Sequence, residues 1–240
     1  MQMRKEMTVR RAARLAANLA GALALVLGCF GGAPAFAQSK QAPMLTRPLE
    51  IELALNGAPK DLRDGATVLV LESKGYVKAK QGTNAFTCMV TRRNGDMFPI
   101  CWDEEGARSL LPIDLDDAVW RLQGMSNAEI DRKVAEGFAE GRYRAPARPG
   151  VAYMLSPIRY KIDEKGAIVR SNPLPHVMAY APYLKDSDVG GKRGSVAFIN
   201  KVGPDGMLII PVGQKERDAI IAESQSLITE FERQIGYKAP

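Results

Sequence analysis

A single histidine and three cysteines in 240 residues leave little material for metal or thiol chemistry. Cys29 falls in an N-terminal segment expected to be removed. The two cysteines and one histidine that remain fall short of a closed zinc site, so no metal and no other cofactor is expected. No internal repeat, low-complexity tract, helix-turn-helix, zinc finger or RNA-recognition motif is visible. The glycine-rich stretch 190–195 lacks the spacing of a phosphate-binding P-loop. With 46% hydrophobic and 25% charged residues, the composition excludes both a disordered chain and a membrane bundle.

Net charge is also scarcer than it looks. Of the formal +6, residues 1–37 hold +4 (Arg4, Lys5, Arg10, Arg11 and Arg14 against Glu6), which leaves +2 for residues 38–240. A nearly neutral mature chain argues against a nucleic-acid partner.

What the N-terminus does contain has the order that export requires. A basic stretch from Arg4 to Arg14 is followed by an apolar run from Leu15 to Phe30, then Ala35-Phe36-Ala37 ahead of Gln38. These features predict a secretory signal over 1–37, cleaved between Ala37 and Gln38. The apolar run is shorter than the roughly 20 residues of a stable span, so no transmembrane segment is expected in the mature form. The alternative is a lipoprotein: Val26-Leu27-Gly28-Cys29 resembles a lipobox, with Cys29 as the lipidated residue. Residues 38–48, polar and carrying Pro43 and Pro48, read as a flexible tether to a single α+β domain over 49–240.

In an exported protein, Cys88 and Cys101 are expected to pair. Two β-prone runs, 86–92 and 97–102, flank Asn94-Gly95, the dipeptide that favours a type I′ hairpin turn. A two-residue hairpin pairs positions symmetrically about its turn, which sets Cys88 directly opposite Cys101 at a non-hydrogen-bonded pair. The same register places Pro99 where the ladder needs no N–H. A disulfide is therefore predicted over the alternative of a thiol nucleophile working with His176.

Strands are expected at 49–55, 66–72 and 75–78 before the hairpin, making an antiparallel meander. Leu115, Ala118, Val119 and Leu122 keep helical spacing up to Gly124, and Ser126–Glu129 is a capping box for a second helix carrying Ile130, Val134 and Phe138. Trp120 reads as a core ring. The arginine-rich, proline-broken stretch 142–150 reads as a solvated connector. Strands follow at 151–155, 177–181, 196–199 and 207–212, and one amphipathic helix carries Ile220, Leu227, Phe231 and Ile235 up to Gly236. The fold class is α+β: a largely antiparallel sheet with a disulfide-linked hairpin, an inserted α-hairpin and a C-terminal amphipathic helix.

Rare residue types concentrate at 173–188. His176 and Tyr180 share one face of a strand, and Asp186 and Asp188 follow in a glycine-rich loop context. Histidine titrates near pH 6.5, which suits acid–base work, and Tyr180 or Asp186 would assist it in a hydrolase. Against this stands a structural role, with His176 capping loop carbonyls and the tyrosines packing.

The stretches Asn84-Ala85-Phe86-Thr87-Cys88, Pro99-Ile100-Cys101-Trp102-Asp103-Glu104-Glu105-Gly106 and Pro175-His176-Val177-Met178-Ala179-Tyr180-Ala181-Pro182-Tyr183-Leu184 resemble a family of exported bacterial proteins with no assigned activity. The resemblance covers most of 50–215 and implies bacterial origin and export; it transfers no site residue. The expectation is a binding or accessory module of the bacterial envelope, periplasmic or secreted, whose partner is an envelope protein or a small ligand. An envelope hydrolase using His176 with Tyr180 or Asp186 is the alternative.

Overall fold

The computed structural model describes residues 43–163, 166–171 and 174–237. The expected signal segment, its Ala37–Gln38 junction and Cys29 lie outside the described residues. No described helix is long and apolar enough to cross a membrane.

The fold is α+β with a mostly antiparallel sheet. The first helix, α1 (Arg47–Asn56), replaces the strand expected at 49–55. Leu49, Ile51, Leu53 and Leu55 alternate in sequence as a strand does, but Pro48 suits a helical first turn, and Leu, Glu and Ala are strong helix formers. The stripe that α1 buries is Leu49, Glu50, Leu53 and Ala54, a helical repeat that includes a carboxylate. The tether expectation also fails over 43–48. Leu45 is buried in the core, and Thr46 is tied to Gln234 by two hydrogen bonds, of 2.8 and 2.9 Å.

After the short α2 (Lys60–Arg63) come β1 (Thr67–Glu72) and β2 (Gly75–Lys80), an antiparallel pair. Strand β3 (Thr87–Thr91) then pairs with β1 in parallel, which breaks the expected meander. The chain returns across the start of β1 through Gly82. A Cβ there would lie 2.3 Å from the Thr67 nitrogen and 2.4 Å from the Gly65 oxygen, so only glycine passes.

The hairpin of β3 with β4 (Asp96–Trp102) follows the predicted register: Cys88 opposes Cys101, and Val90 opposes Pro99. Asn94 (φ 52°) and Gly95 (φ 77°) both take the left-handed conformation a type I′ turn requires. Cys88 and Cys101 are joined by a disulfide, with Cα atoms 4.0 Å apart.

Three helices are inserted next: α3 (Glu104–Ser109), α4 (Leu111–Leu122) and α5 (Asn127–Ala139). The last starts at the predicted capping box, with the Glu129 N–H donating to Ser126 Oγ and the Ser126 N–H donating to the Glu129 carboxylate. Trp120 is buried, as expected of a core ring.

The connector after α5 is less solvated than its composition suggests. Tyr143 is buried and donates to Asp116. The Ala147 N–H donates to Glu105 at 2.7 Å, and the Arg148 guanidinium pairs with the same carboxylate. Burial pushes the Glu105 carboxyl up, but the Ala147 N–H and the Arg108 and Arg148 guanidiniums outweigh it, taking it from 4.5 to about 2. A carboxyl depressed by folding stabilises the fold above its unfolded pKa and loses that contribution as pH falls through its folded one. Urea midpoints are therefore expected to fall between pH 4.5 and pH 2, and more shallowly in Glu105→Gln. Equal slopes in the two proteins would contradict this role for Glu105.

The second half supplies β5 (Val151–Met154), β8 (His176–Tyr180), β9 (Phe198–Ile199) and β10 (Met207–Pro211). The main sheet runs β2-β1-β3-β4-β5-β8-β10-β9. Two short strands, β6 (Tyr160–Ile162) and β7 (Ile168–Arg170), extend from the hairpin end of β4. The closing segment is two helices, not one: α6 (Gln214–Glu223) and α7 (Gln225–Ile235), parted at Ser224. Ser224 is buried and its Oγ accepts from Asn56 Nδ2 at 3.1 Å, so a contact with α1 fixes the break. Gly236, in the left-handed conformation, caps α7 as predicted.

Alternation divides the sheet between two cores. Val68, Val70, Cys88, Val90 and Cys101 pack with α1 and α7, around Leu53 and Phe231. Met89, Ile100, Trp102, Met178 and Ile209 belong to the other face, with Leu111, Ile113 and Trp120 of α4 and Ile130 of α5.

Candidate functional site

On that second face, α4 packs against β2 at one side of the sheet. Across the remaining strands runs a continuous row: Trp102 opposes Ala152, Ala152 opposes Met178, Met178 opposes Ile209, and Ile209 opposes Phe198. Beside it, Met154 opposes His176, and His176 opposes Pro211. Above these rows lies a cavity of about 890 Å³, within the range of ligand pockets.

The cavity floor is apolar, and the charged groups lining it are few: Arg93, Arg159 and Arg193, with Asp114 as the only acid among the described residues. Asp114 is committed. Arg93 Nε donates to its Oδ1 at 2.5 Å, and Thr91 Oγ1 approaches the same oxygen at 3.5 Å. Burial pushes the Asp114 carboxyl above its ordinary range, with Arg93 opposing. Trp102 Nε1 and Asp114 Oδ2 are both buried, and the Trp102 indole joins Arg93 in opposing the upward push on Asp114. Arg159 pairs with Asp96 and lies over the Phe98 ring, its guanidinium carbon 5.2 Å from the centroid. Arg193 makes no ion pair or hydrogen bond among the described residues. The cavity thus carries more positive charge than its acid neutralises.

Arg193 belongs to the glycine-rich stretch 190–195. Ser195 Oγ fastens it, donating toward the Lys192 and Ala197 carbonyls and accepting from the Lys192 N–H at 3.0 Å. Gly191 is needed for the approach, since a Cβ there would stand 2.2 Å from the Ala197 oxygen. Val196, at the cavity wall, is 86% exposed.

Of the sequence-predicted candidates, only His176 lines the cavity. It is buried, and its Nδ1 bonds the Leu174 carbonyl, the carbonyl-capping role weighed above. Because a carbonyl oxygen only accepts, Nδ1 carries the proton and Nε2 is the bare nitrogen of the neutral ring. Burial, and the charge of nearby Arg159, push the imidazole pKa below its ordinary value despite the Leu174 bond. Among the described residues no carboxylate bonds His176.

Tyr180 and Asp186 do not join it. The Tyr180 hydroxyl donates to Asp103 Oδ1 at 2.6 Å, with the Val151 oxygen at 3.0 Å, and burial together with Asp103 raises its pKa. Asp103 also accepts from the Gly106 and Val151 N–H groups, so Tyr180 helps lock α3 to β5. Asp186 Oδ1 accepts from the Ile199 N–H at 2.6 Å, and Asp188 Oδ2 from the Lys185 N–H at 2.9 Å; both shape loop backbone.

Sequence reasoning missed Asp114, Arg93, Arg159, Arg193 and Trp102. Only Asp114 left a signal: it is three residues after Leu111 and four before Ala118, on the stripe α4 buries. A carboxylate on a buried stripe asks for a partner. Among the described residues no group of three or more His, Cys, Asp or Glu side chains is placed to hold a metal ion. Comparison with protein-family models, with curated proteins and with solved structures finds no match.

Proposed function

We propose that this chain is an exported bacterial binding module that holds a small amphipathic ligand, an apolar body bearing an acidic group, in the cavity over β4, β5, β8, β10 and β9. The observation that carries the proposal is an apolar cavity whose wall presents Arg193, without an ion pair among the described residues, and a partly exposed Arg159. Burying an aliphatic chain on Phe98, Ile100, Met154 and Met178 supplies the affinity, at about 0.8 kcal/mol per methylene. The arginines supply the preference for an acid. The hydrolase alternative has less to support it, because Tyr180 and Asp186 are engaged elsewhere and His176 has no carboxylate partner among the described residues.

Calorimetric titration with dodecanoate is expected to show saturable micromolar binding, with dodecanol bound more weakly. Arg193→Glu, which sets a like charge on the cavity wall against the ligand's carboxylate, should weaken dodecanoate binding by about tenfold or more. Met154→Trp, which fills space at a half-buried floor position, should abolish it at an unchanged urea midpoint. Failure of straight-chain acids from eight to sixteen carbons to bind at all would overturn the proposal. Export has its own test: the intact mass of protein from the native host is expected to begin at Gln38, and a lipid-modified mass beginning at Cys29 would make it a lipoprotein instead.

A further inference from the structure

We infer that His176 reads a hydroxyl group on the ligand, so that the cavity selects hydroxylated acids over plain ones; this rests on the binding reading above. His176 is 6% exposed, and its imidazole lines the cavity. The Leu174 carbonyl fixes the proton on Nδ1. Nε2 makes no hydrogen bond among the described residues, nor is it among the buried polar atoms closed off without a partner. It therefore opens on the cavity as a preset acceptor.

An acceptor at this place has a definite preference. A carboxylate oxygen has no proton to give it, and a methylene gives it nothing. A hydroxyl satisfies it, and a site with a buried acceptor penalises a ligand that leaves the acceptor bare. In the sheet His176 stands between Met154 on β5 and Pro211 on β10, its partners in the strand register. Arg159 lines the same cavity and lies near enough for its charge to act on His176. A carboxylate directed to Arg159 and a hydroxyl directed to His176 thus belong to one end of the ligand, with the alkyl chain on the apolar floor. The ligand class is a short- to medium-chain hydroxy acid with the hydroxyl close to the carboxylate.

The test compares dodecanoate, 3-hydroxydodecanoate and 3-methoxydodecanoate by calorimetry on the full-length mature protein. The methoxy compound keeps the oxygen and removes the donor. The hydroxy acid is expected to bind about ten- to a hundredfold tighter than either of the others. His176→Phe should erase that difference, so that the variant binds the three acids within about twofold of one another, and His176→Gln, which keeps a side-chain acceptor, should restore part of it. Equal binding of all three by the wild-type protein, or a preference that survives His176→Phe, would overturn the inference and leave the acid-binding cavity standing. Binding of none of them would remove the binding reading and the inference together.

Discussion

Replacing Glu50 by alanine is expected to cost the fold about 3–5 kcal/mol, because it strands a buried guanidinium. Arg92 and Glu50 form a bidentate pair, with Nη1 to Oε1 and Nη2 to Oε2 both at 3.0 Å. Their side chains are 5% and 1% exposed. Further bonds surround the pair. Glu50 Oε1 accepts from the Leu71 N–H at 2.9 Å, Arg92 Nη1 donates to the Val90 oxygen at 2.9 Å, and the Tyr76 hydroxyl donates to that same oxygen. One carboxylate thereby joins α1, β1 and the end of β3. Removing it leaves a charge in a low dielectric, and Arg92 Nε is already without a partner. Desolvation of both ions offsets much of their mutual attraction, so the paired change Glu50→Leu with Arg92→Leu should recover most of the loss. Urea unfolding of the three variants measures this. A single-variant cost below about 1 kcal/mol would show that water reaches the site.

That pair also explains where sequence reading failed. The segment 49–55 alternates like a strand, and nothing local says that Glu50 is buried. The deciding residue, Arg92, is 42 positions away. The hairpin was legible for the opposite reason. Its turn residues, its proline position and its two cysteines all lie within a short span and all constrain one register. The closing segment reads as one continuous helix because its break depends on Asn56, 168 residues from Ser224.

The cavity was the least legible feature. Its floor is one cross-strand row drawn from five strands, and their order in the sheet leaves no local trace. Its arginines come from the hairpin turn, the segment before β6 and the loop before β9, each of which reads alone as a solvated charge. His176 could be picked out because it is unique, but its role depends on a carbonyl two residues away and on the space above it. Tyr180 shares its strand face as predicted, yet Asp103, 77 positions away, takes its hydroxyl.

Loss of the Cys88–Cys101 bond is expected to lower stability by about 2–4 kcal/mol. The cross-link spans 13 positions, and closing a loop of about that size removes roughly 3 kcal/mol of entropy from the unfolded chain. The Asn94-Gly95 turn tends to close the same loop unaided, which reduces the effect. An isolated two-stranded hairpin is only marginally stable in water, however, so in the unfolded chain the bond still constrains an otherwise open segment. A second cost acts in the folded state. Both cysteines are fully buried within the core formed with α1 and α7, so Cys88→Ala with Cys101→Ala also removes packed sulfur. The two costs separate experimentally. Reduction of the wild-type protein keeps the sulfurs and removes only the cross-link, whereas the alanine pair removes both. Urea unfolding of the oxidised, reduced and alanine forms should therefore rank them in that order of stability. Reduced and oxidised proteins with the same midpoint would mean that the turn and the strand pairing hold this register without the bond.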